Sequence, residues 1–358
     1  MDSSRARALS VTLVLDGFVP SGLTFNLLRL VRGTTPSVRY RVLAADGGLL
    51  RDAYAGVCDV EVWGQPYHKW EPSEGFRQWV SDRLENAPPD VVHAHQIGPV
   101  TAVAEAWRGP FVCSWHSRLN RLVQDFQHRL VVRTSSRSAC VIFAYGRLVL
   151  DDLIECGAPS DKIMVTWGGD IARIPPPVCC RNQDVVAAVG RLDPRKGFDT
   201  LVRAMIHLRI AQPNATLRIY GEGAQRAELE ALIRECRLDG AVRLLGWRSD
   251  VWSEAAAAAL LVSCSRSEGV PSVVLEAMSR DIPVLGSASV VPTIFPFDPY
   301  AVSCSAEDPV ALARVIASRL AHPDRARQAL LVGRRVRSSL RQAALSDQLV
   351  GVYREAAA

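Results

Sequence analysis

Two glutamates, Glu268 and Glu276, stand with seven residues between them in the stretch Ser263-Cys264-Ser265-Arg266-Ser267-Glu268-Gly269-Val270-Pro271-Ser272-Val273-Val274-Leu275-Glu276-Ala277-Met278. Upstream, Ala255 to Val262 is small and apolar and predicts a buried strand. After the Gly-Val-Pro-Ser turn, Val273 to Met278 predicts the start of a helix, and proline suits a first helical position because its missing N–H would have had no partner there. Glu268 then lies on a loop, the helix begins near Pro271, and Glu276 is one turn in. The free N–H groups of Ser272, Val273 and Val274 are expected to point at whatever lies before the helix. Such an end suits a phosphate, through hydrogen bonds and dipole together. A carboxylate on each side of an anion does not attract it; the pair makes sense if each holds hydroxyls, as on a sugar and a ribose. On spacing alone, an amphipathic helix start with two solvated glutamates reads equally well.

Three further strand–loop units precede that stretch. Asp184 to Val189 predicts a strand that opens into Gly190-Arg191-Leu192-Asp193-Pro194-Arg195-Lys196-Gly197, and a helix follows with Leu201, Val202, Met205, Ile206 and Leu208 near one face. Arg195 is the basic residue of this loop expected to be solvated. Ala215 to Tyr220 predicts the next strand, ending in Gly221-Glu222-Gly223. A dinucleotide fingerprint fails here, because Arg226 stands where the third glycine belongs. Ala241 to Leu245 leads to Gly246-Trp247, where Trp247 either covers a ligand or packs. Beyond the two glutamates, Asp281 to Gly286 predicts a strand, and Glu307-Asp308-Pro309 opens a helix.

The first half repeats the strand–loop–helix theme. Leu9 to Leu15 predicts a strand bounded by Asp16-Gly17, and Pro20-Ser21-Gly22-Leu23 leads into a helical pattern from Phe25 to Val31. By itself Gly22 reads as an ordinary turn glycine. Tyr40 to Ala45 and Val57 to Val62 predict strands. Trp63, Tyr67, His68, Trp70 and Phe76 crowd a proline-containing loop that cannot be a regular strand. It is either a platform on which sugar rings stack or a loop packed by its own aromatics, and the second reading is preferred. Asp90 to His95 and Phe111 to Ser117 predict buried strands that end in His95 and His116, where open α/β sheets collect ligands. His116 is the first-half titratable group best placed for a site, ahead of His95. Leu119 to Arg137 is a basic helical pattern, Ala139 to Ala144 a strand and Arg147 to Cys156 a helix. Pro175-Pro176-Pro177 reads as a stiff linker.

With 358 residues, 48% hydrophobic and 22% charged, the chain suits two soluble domains. A net charge of +5 fits an anionic substrate or surface without choosing between them. No nucleic-acid motif or dense basic run is present. Nine cysteines without a C-x-x-C pair suit a reducing, cytoplasmic setting. Residues 1–10 lack a signal-peptide core, and no apolar run reaches about 18 residues.

The glutamate stretch and the Gly-Arg-Leu-Asp-Pro-Arg-Lys-Gly loop closely resemble the retaining glycosyltransferases of family 4 (group 1), which share an E-x7-E signature. The resemblance is strong from Asp184 to Leu285 and looser before Cys140. It implies an α/β protein of two Rossmann-like domains with parallel sheets, facing across a cleft (GT-B). The domains are placed at 1–175, acceptor-binding and completed by a C-terminal helix at about 340–358, and 176–339, nucleotide-sugar-binding. It also implies that Glu268 contacts the donor sugar, Glu276 holds the ribose, and the segment Gly269, Val270, Pro271, Ser272 and Val273 takes the distal phosphate through its N–H groups, proline's excepted. Arg191 and Lys196 would contact the diphosphate and His116 the sugar and its phosphate. Gly22, Gly221, Gly223, Gly246 and Trp247 would line the donor. The sequence departs from the family at Trp167, at Asp281 in place of glycine, and over residues 288–297.

The function implied is transfer of a hexosyl group, with retention, from a UDP- or GDP-linked sugar to a hydroxyl of a small-molecule acceptor in a specialised pathway. No D-x-D motif is present, so no metal is expected and no cofactor beyond the nucleotide sugar; the state expected is monomer or homodimer, with peripheral membrane contact left open. The alternatives are a nucleotide-sugar epimerase or hydrolase of the same fold, or a non-catalytic nucleotide-sugar-binding subunit. An NAD-dependent oxidoreductase is disfavoured by the failed fingerprint.

Overall fold

The computed structural model describes residues 7–19, 21–34, 37–68, 71–119, 126–167, 181–294, 303–322, 324–342 and 345–358. The chain divides into two compact units, one of residues 1–170 with 343–358 and the other of 171–342. The division falls at Asp170/Ile171 instead of 175/176, and the Gly168-Gly169-Asp170 turn and the Pro175–Pro177 linker lie outside the described residues.

The first unit is a seven-stranded parallel sheet. Its strands are β1 (Leu9–Gly17), β2 (Val38–Asp46), β3 (Asp59–Val62), β4 (Val91–His95), β5 (Phe111–Trp115), β6 (Val141–Tyr145) and β7 (Ile163–Thr166), in the order β3-β2-β1-β4-β5-β6-β7. β4 and β5 are buried at every residue, as expected of strands covered on both faces. The strand order reverses between β1 and β4, so a crevice opens at their carboxyl ends. The aromatic loop packs against its own domain: Trp63, Tyr67 and Trp79 surround Phe76 with ring centroids 4.9–6.4 Å apart. The Tyr67 hydroxyl donates to Asp16 Oδ1 at 2.7 Å. Trp70 lies outside the described residues. The C-terminal helix Leu345–Ala357 belongs to this unit and buries Tyr353, whose hydroxyl lies 2.6 Å from His93 Nδ1.

The second unit is a six-stranded parallel sheet of β8 (Asn182–Val189), β9 (Thr216–Tyr220), β10 (Val242–Gly246), β11 (Ala258–Ser263), β12 (Val284–Ser287) and β13 (Ser303–Cys304), in the order β10-β9-β8-β11-β12-β13. Its core is formed by Val186, Ala188, Leu217, Ile219, Leu260 and Val262 of the central strands with Leu201, Met205 and Leu208 from the helix Phe198–Ala211. Here the order reverses between β8 and β11. The loops that leave those two strands carry Arg191 with Lys196 and Glu268.

Several boundaries differ from expectation. The strand placed at Ala255 to Val262 is a helical turn at Trp252–Ala255 followed by β11 from Ala258. A run of alanines tolerates either conformation, and pairing of Ala258 with Asn182 and of Leu260 with Val186 sets where the strand begins. A short helix, Arg51–Ala55, precedes β3, so the strand expected from Val57 starts at Asp59. The helix expected from Leu119 is Phe126–Ser138, and residues 120–125 lie outside the description.

Candidate active site

Lys196 Nζ lies 2.5 Å from Glu268 Oε1, joining the loops that follow β8 and β11 across the point where the strand order reverses. The two side chains are 27% and 12% exposed, so the pair is shielded but open to a ligand. Lys196 ends a short 3₁₀ turn, Pro194–Lys196, that Asp193 caps through the Arg195 N–H. Asp193 also takes Arg191 at 2.9 Å and Arg195 at 3.0 Å. Arg195 is therefore held, although its side chain is half exposed. Burial alone would raise the Asp193 carboxyl, but hydrogen bonds from Arg195 and the charges of Arg195 and Arg191 hold it well below the usual carboxylate range.

Arg266 locks this arrangement. Its guanidinium bonds Asp199 at 2.9 Å, Glu307 at 2.7 Å and the Pro194 carbonyl at 2.5 Å, and its N–H donates to the Arg195 carbonyl at 2.7 Å. The hydrogen bonds to Asp199 and then Glu307 push the Arg266 pKa further above its ordinary value. The Glu268 loop is thereby tied to the Lys196 loop by charge as well as backbone.

Gly221 and Gly223 serve the scaffold. A Cβ on Gly221 (φ +143°) would meet the Gly190 carbonyl oxygen at 1.9 Å, and one on Gly223 the Leu192 carbonyl oxygen at 2.3 Å. The loop after β8 lies against both glycines and is stitched on through Leu192 N to Glu222 O and Gln225 N to Leu192 O. Gly246 ends β10 and its carbonyl accepts the Gly221 N–H at 2.9 Å, while Trp247 beside it is 40% exposed.

The helix after Glu268 is Ser272–Met278, with Pro271 as the residue before it. Two of the three amides expected to face a ligand turn inward instead: Ser272 N donates to Val270 O at 2.9 Å and Val274 N to Pro271 O at 2.8 Å. The tight Val270–Pro271 turn draws them back. Val273, half-buried, keeps its place on the first turn, and Gly269 is buried beneath the loop. Glu276 is buried, and its Oε2 accepts the Trp252 indole N–H at 2.7 Å. Asp281, three residues past the helix, has φ 60°, the conformation that explains why glycine suits this place; Arg337 holds its carboxylate at 2.8 Å. The departing loop is bound back as well, with Ser289 Oγ donating to the Ser265 carbonyl at 2.7 Å; residues 295–302 lie outside the description.

In the first unit, His116 stands just beyond β5 and stacks on Tyr145 with centroids 3.7 Å apart. Its Nε2 lies 3.0 Å from His95 Nδ1, and His93 bonds Ser114 Oγ at 2.8 Å. Burial, with His95 adding charge repulsion, keeps His116 well below the ordinary histidine range; burial alone lowers His95 to about 3. All three imidazoles are thus neutral near pH 7. Gly22 opens the helix Gly22–Thr34, exposed beside Ser21, which exchanges hydrogen bonds with Thr24 at 3.0–3.3 Å.

Sequence reasoning missed Trp252, Arg266, Asp193 and His93. Arg266 lay inside the inspected stretch, but its partners are 41 and 67 residues away, and only folding brings them together. His93 carried the one available signal, its place two residues before His95 on the same strand face.

Residues 180–329 match the glycosyl transferases group 1 family and residues 22–169 match glycosyltransferase family 4. The chain belongs to the group 1, family 4 glycosyltransferases. Among relatives, the lipopolysaccharide core biosynthesis glycosyltransferase LpsD of Rhizobium meliloti is 25% identical over 68% of this chain and 79% of its own length. LpsE of the same organism is 34% identical over 31% of this chain, a match that spans only 32% of that relative. Among solved structures, HepE of Anabaena in complex with UDP and glucose superposes with a TM-score of 0.79 at 19% identity, covering 97% of this chain and all of that one (100%). Sucrose-phosphate synthase of Thermosynechococcus elongatus gives 0.77 at 19% identity, covering 97% and 98%. At those identities the likeness concerns the fold.

Proposed function

We propose that the protein is a retaining, metal-independent hexosyltransferase. It moves a sugar from a UDP- or GDP-linked donor to a hydroxyl of a small acceptor in a specialised biosynthetic pathway of the cytoplasm. The observation that carries this reading is the Lys196–Glu268 pair, set at the strand-order reversal of the second unit, with Arg191 on the same loop as Lys196. A leaving diphosphate gains negative charge as the glycosidic bond breaks, and fixed cations aimed at it stabilise that gain. Lys196 and Arg191 take this role, and Val273 N–H on the first turn of the helix adds a donor. Glu268 orients sugar hydroxyls while its charge keeps Lys196 in place. Glu276 accepts from the ribose. The acceptor attacks the anomeric carbon on the face the diphosphate leaves, and a departing phosphate oxygen takes the acceptor proton. His116, neutral at pH 7, hydrogen-bonds the sugar–phosphate end of the donor. The HepE structure with UDP and glucose supports the donor class by analogy.

The test is turnover of UDP- and GDP-sugars with and without acceptor alcohols, in buffer and in excess EDTA, with the product anomer read by NMR. An α-linked product from an α-donor, formed only with acceptor and unaffected by EDTA, is the expected result. Donor hydrolysis without transfer, inversion, or activity lost in EDTA and restored by Mg²⁺ overturns the corresponding part of the reading.

A further inference from the structure

The helix Arg325–Gln342 of the second unit has a face that the candidate site leaves unused. Its sequence holds six arginines and no aspartate or glutamate. The arginines fall at helical spacings, so no continuous basic run shows along the chain, and winding into a helix gathers them.

Packing fixes the inward face. Ala329, Val332 and Val336 are 6%, 7% and 0% exposed. Gly333 makes the close approach: a Cβ there would meet the Met278 carbonyl oxygen at 2.6 Å. Arg337 Nη1 is engaged by Asp281 at 2.8 Å and by the Ser279 carbonyl at 2.6 Å. The other face carries Leu330, Leu331, Arg334, Arg335 and Ser338, all exposed. Each leucine has an arginine one turn on, at i+4, so apolar and cationic side chains stand side by side. Among the described residues, Arg337 is the one arginine of this helix in an ion pair. A leucine exposed singly needs no explanation, but Leu330 and Leu331 are adjacent, 46% and 49% exposed, and bordered by charge of one sign.

The chemistry of that face narrows what can cover it. A second copy of the same face would set arginine against arginine. Nucleic acid offers the leucines nothing apolar along its phosphates. A protein interface draws most of its affinity from aromatic anchors, and the described residues of this face include no aromatic side chain. A bilayer with anionic headgroups suits both kinds of side chain. Leucine enters the acyl boundary, while guanidinium groups on apolar stems stay among the headgroups. We propose that the outward face of the helix Arg325–Gln342 docks the protein reversibly on an anionic lipid bilayer. Leu330 and Leu331 lie at the acyl boundary, and Arg334 and Arg335 lie on the headgroups. The proposal is independent of the donor reading: it concerns where the protein works, whichever sugar it transfers.

The experiment is co-sedimentation of the full chain with vesicles of phosphatidylcholine alone, and of phosphatidylcholine with about a third phosphatidylglycerol. Wild type is expected to bind the mixed vesicles and not the neutral ones. Binding is expected to be lost near 1 M salt, where the Debye length is about 3 Å. An arginine near an anionic surface strengthens binding roughly fivefold, so Arg334→Gln with Arg335→Gln is expected to weaken it by roughly tenfold or more. Leu330→Ser with Leu331→Ser is expected to weaken it as well, since charge alone does not replace the apolar contact. Arg203→Gln with Arg234→Gln, at exposed positions on two other helices, removes the same charge and is expected to leave binding unchanged. All six side chains are exposed, so the variants keep the fold, and a melting curve checks this. The proposal is overturned if neither vesicle binds, which leaves the face to an acidic protein. It is also overturned if neutral vesicles bind equally, if the Arg203 and Arg234 changes weaken binding as much, or if the leucine changes have no effect.

Discussion

Lys196 and Glu268 hold each other in position at 2.5 Å in a partly shielded place, so each is a poor candidate for silent substitution. On the proposed function, Lys196→Ala removes a cation assigned to the departing diphosphate and takes from Glu268 its ion-pair partner. We expect kcat to fall by about 10²–10³-fold, the range seen when one fixed transition-state donor is lost, with folding largely retained. Single-turnover kinetics on the preferred donor, beside a melting curve, checks both parts. The loops of Lys196 and Glu268 were legible as a candidate site because each is contiguous and follows a buried apolar strand; their pairing was not, because the two residues are 72 positions apart. The amides of Ser272 and Val274 were misread because nothing in the sequence marks the inward turn at Val270–Pro271 that takes them up. Trp252 escaped notice because a tryptophan before an alanine run looks like core, and its partner is 24 residues on.

At the scale of elements, the site is three loops bound to one another before any ligand is present. Gly221 and Gly223 let the loop after β9 lie against the loop after β8, and Arg266 binds the loop after β11 to both Asp199 and Glu307. Gly221→Ala forces a methyl group into the Gly190 carbonyl, so the loops must part. We expect a loss of at least about 2 kcal/mol in chemical unfolding, in the upper range for single substitutions, and weaker donor binding with it. Arg266→Ala leaves two carboxylates without their cation; the expected cost is about 1–3 kcal/mol, and kcat and donor affinity should fall together because the loops carrying Lys196 and Glu268 lose their register. Urea titration and steady-state kinetics on the same samples test this. The parallel sheets could be read ahead of the structure because buried strands recur as short apolar runs bounded by glycine. The Trp252–Ala255 helix could not, since alanines do not distinguish a helical turn from the start of β11.

For the molecule as a whole, the described residues contain no helix long and apolar enough to cross a membrane. The first unit has a consequence of its own for stability. His93 and His95 are 1% and 0% exposed and are held neutral by burial, with values below that of an unfolded chain. Because the folded values are depressed, the unfolded chain binds more protons below pH about 6.5. Stability is therefore complete above that pH and falls as pH drops, by up to about 1.4 kcal/mol per pH unit for each histidine. For His95 the loss continues down to about pH 3. Urea unfolding across this range checks the slope, and His93→Gln is expected to flatten it. The central claim concerns the second unit, and titration of UDP, GDP, dTDP, ADP and NAD⁺ into wild type and Glu276→Ala tests it most directly. One nucleoside diphosphate is expected to bind wild type and to lose roughly tenfold or more in affinity with the variant. Binding of NAD⁺ alone, of none of the five, or of a diphosphate indifferent to Glu276 would contradict the account.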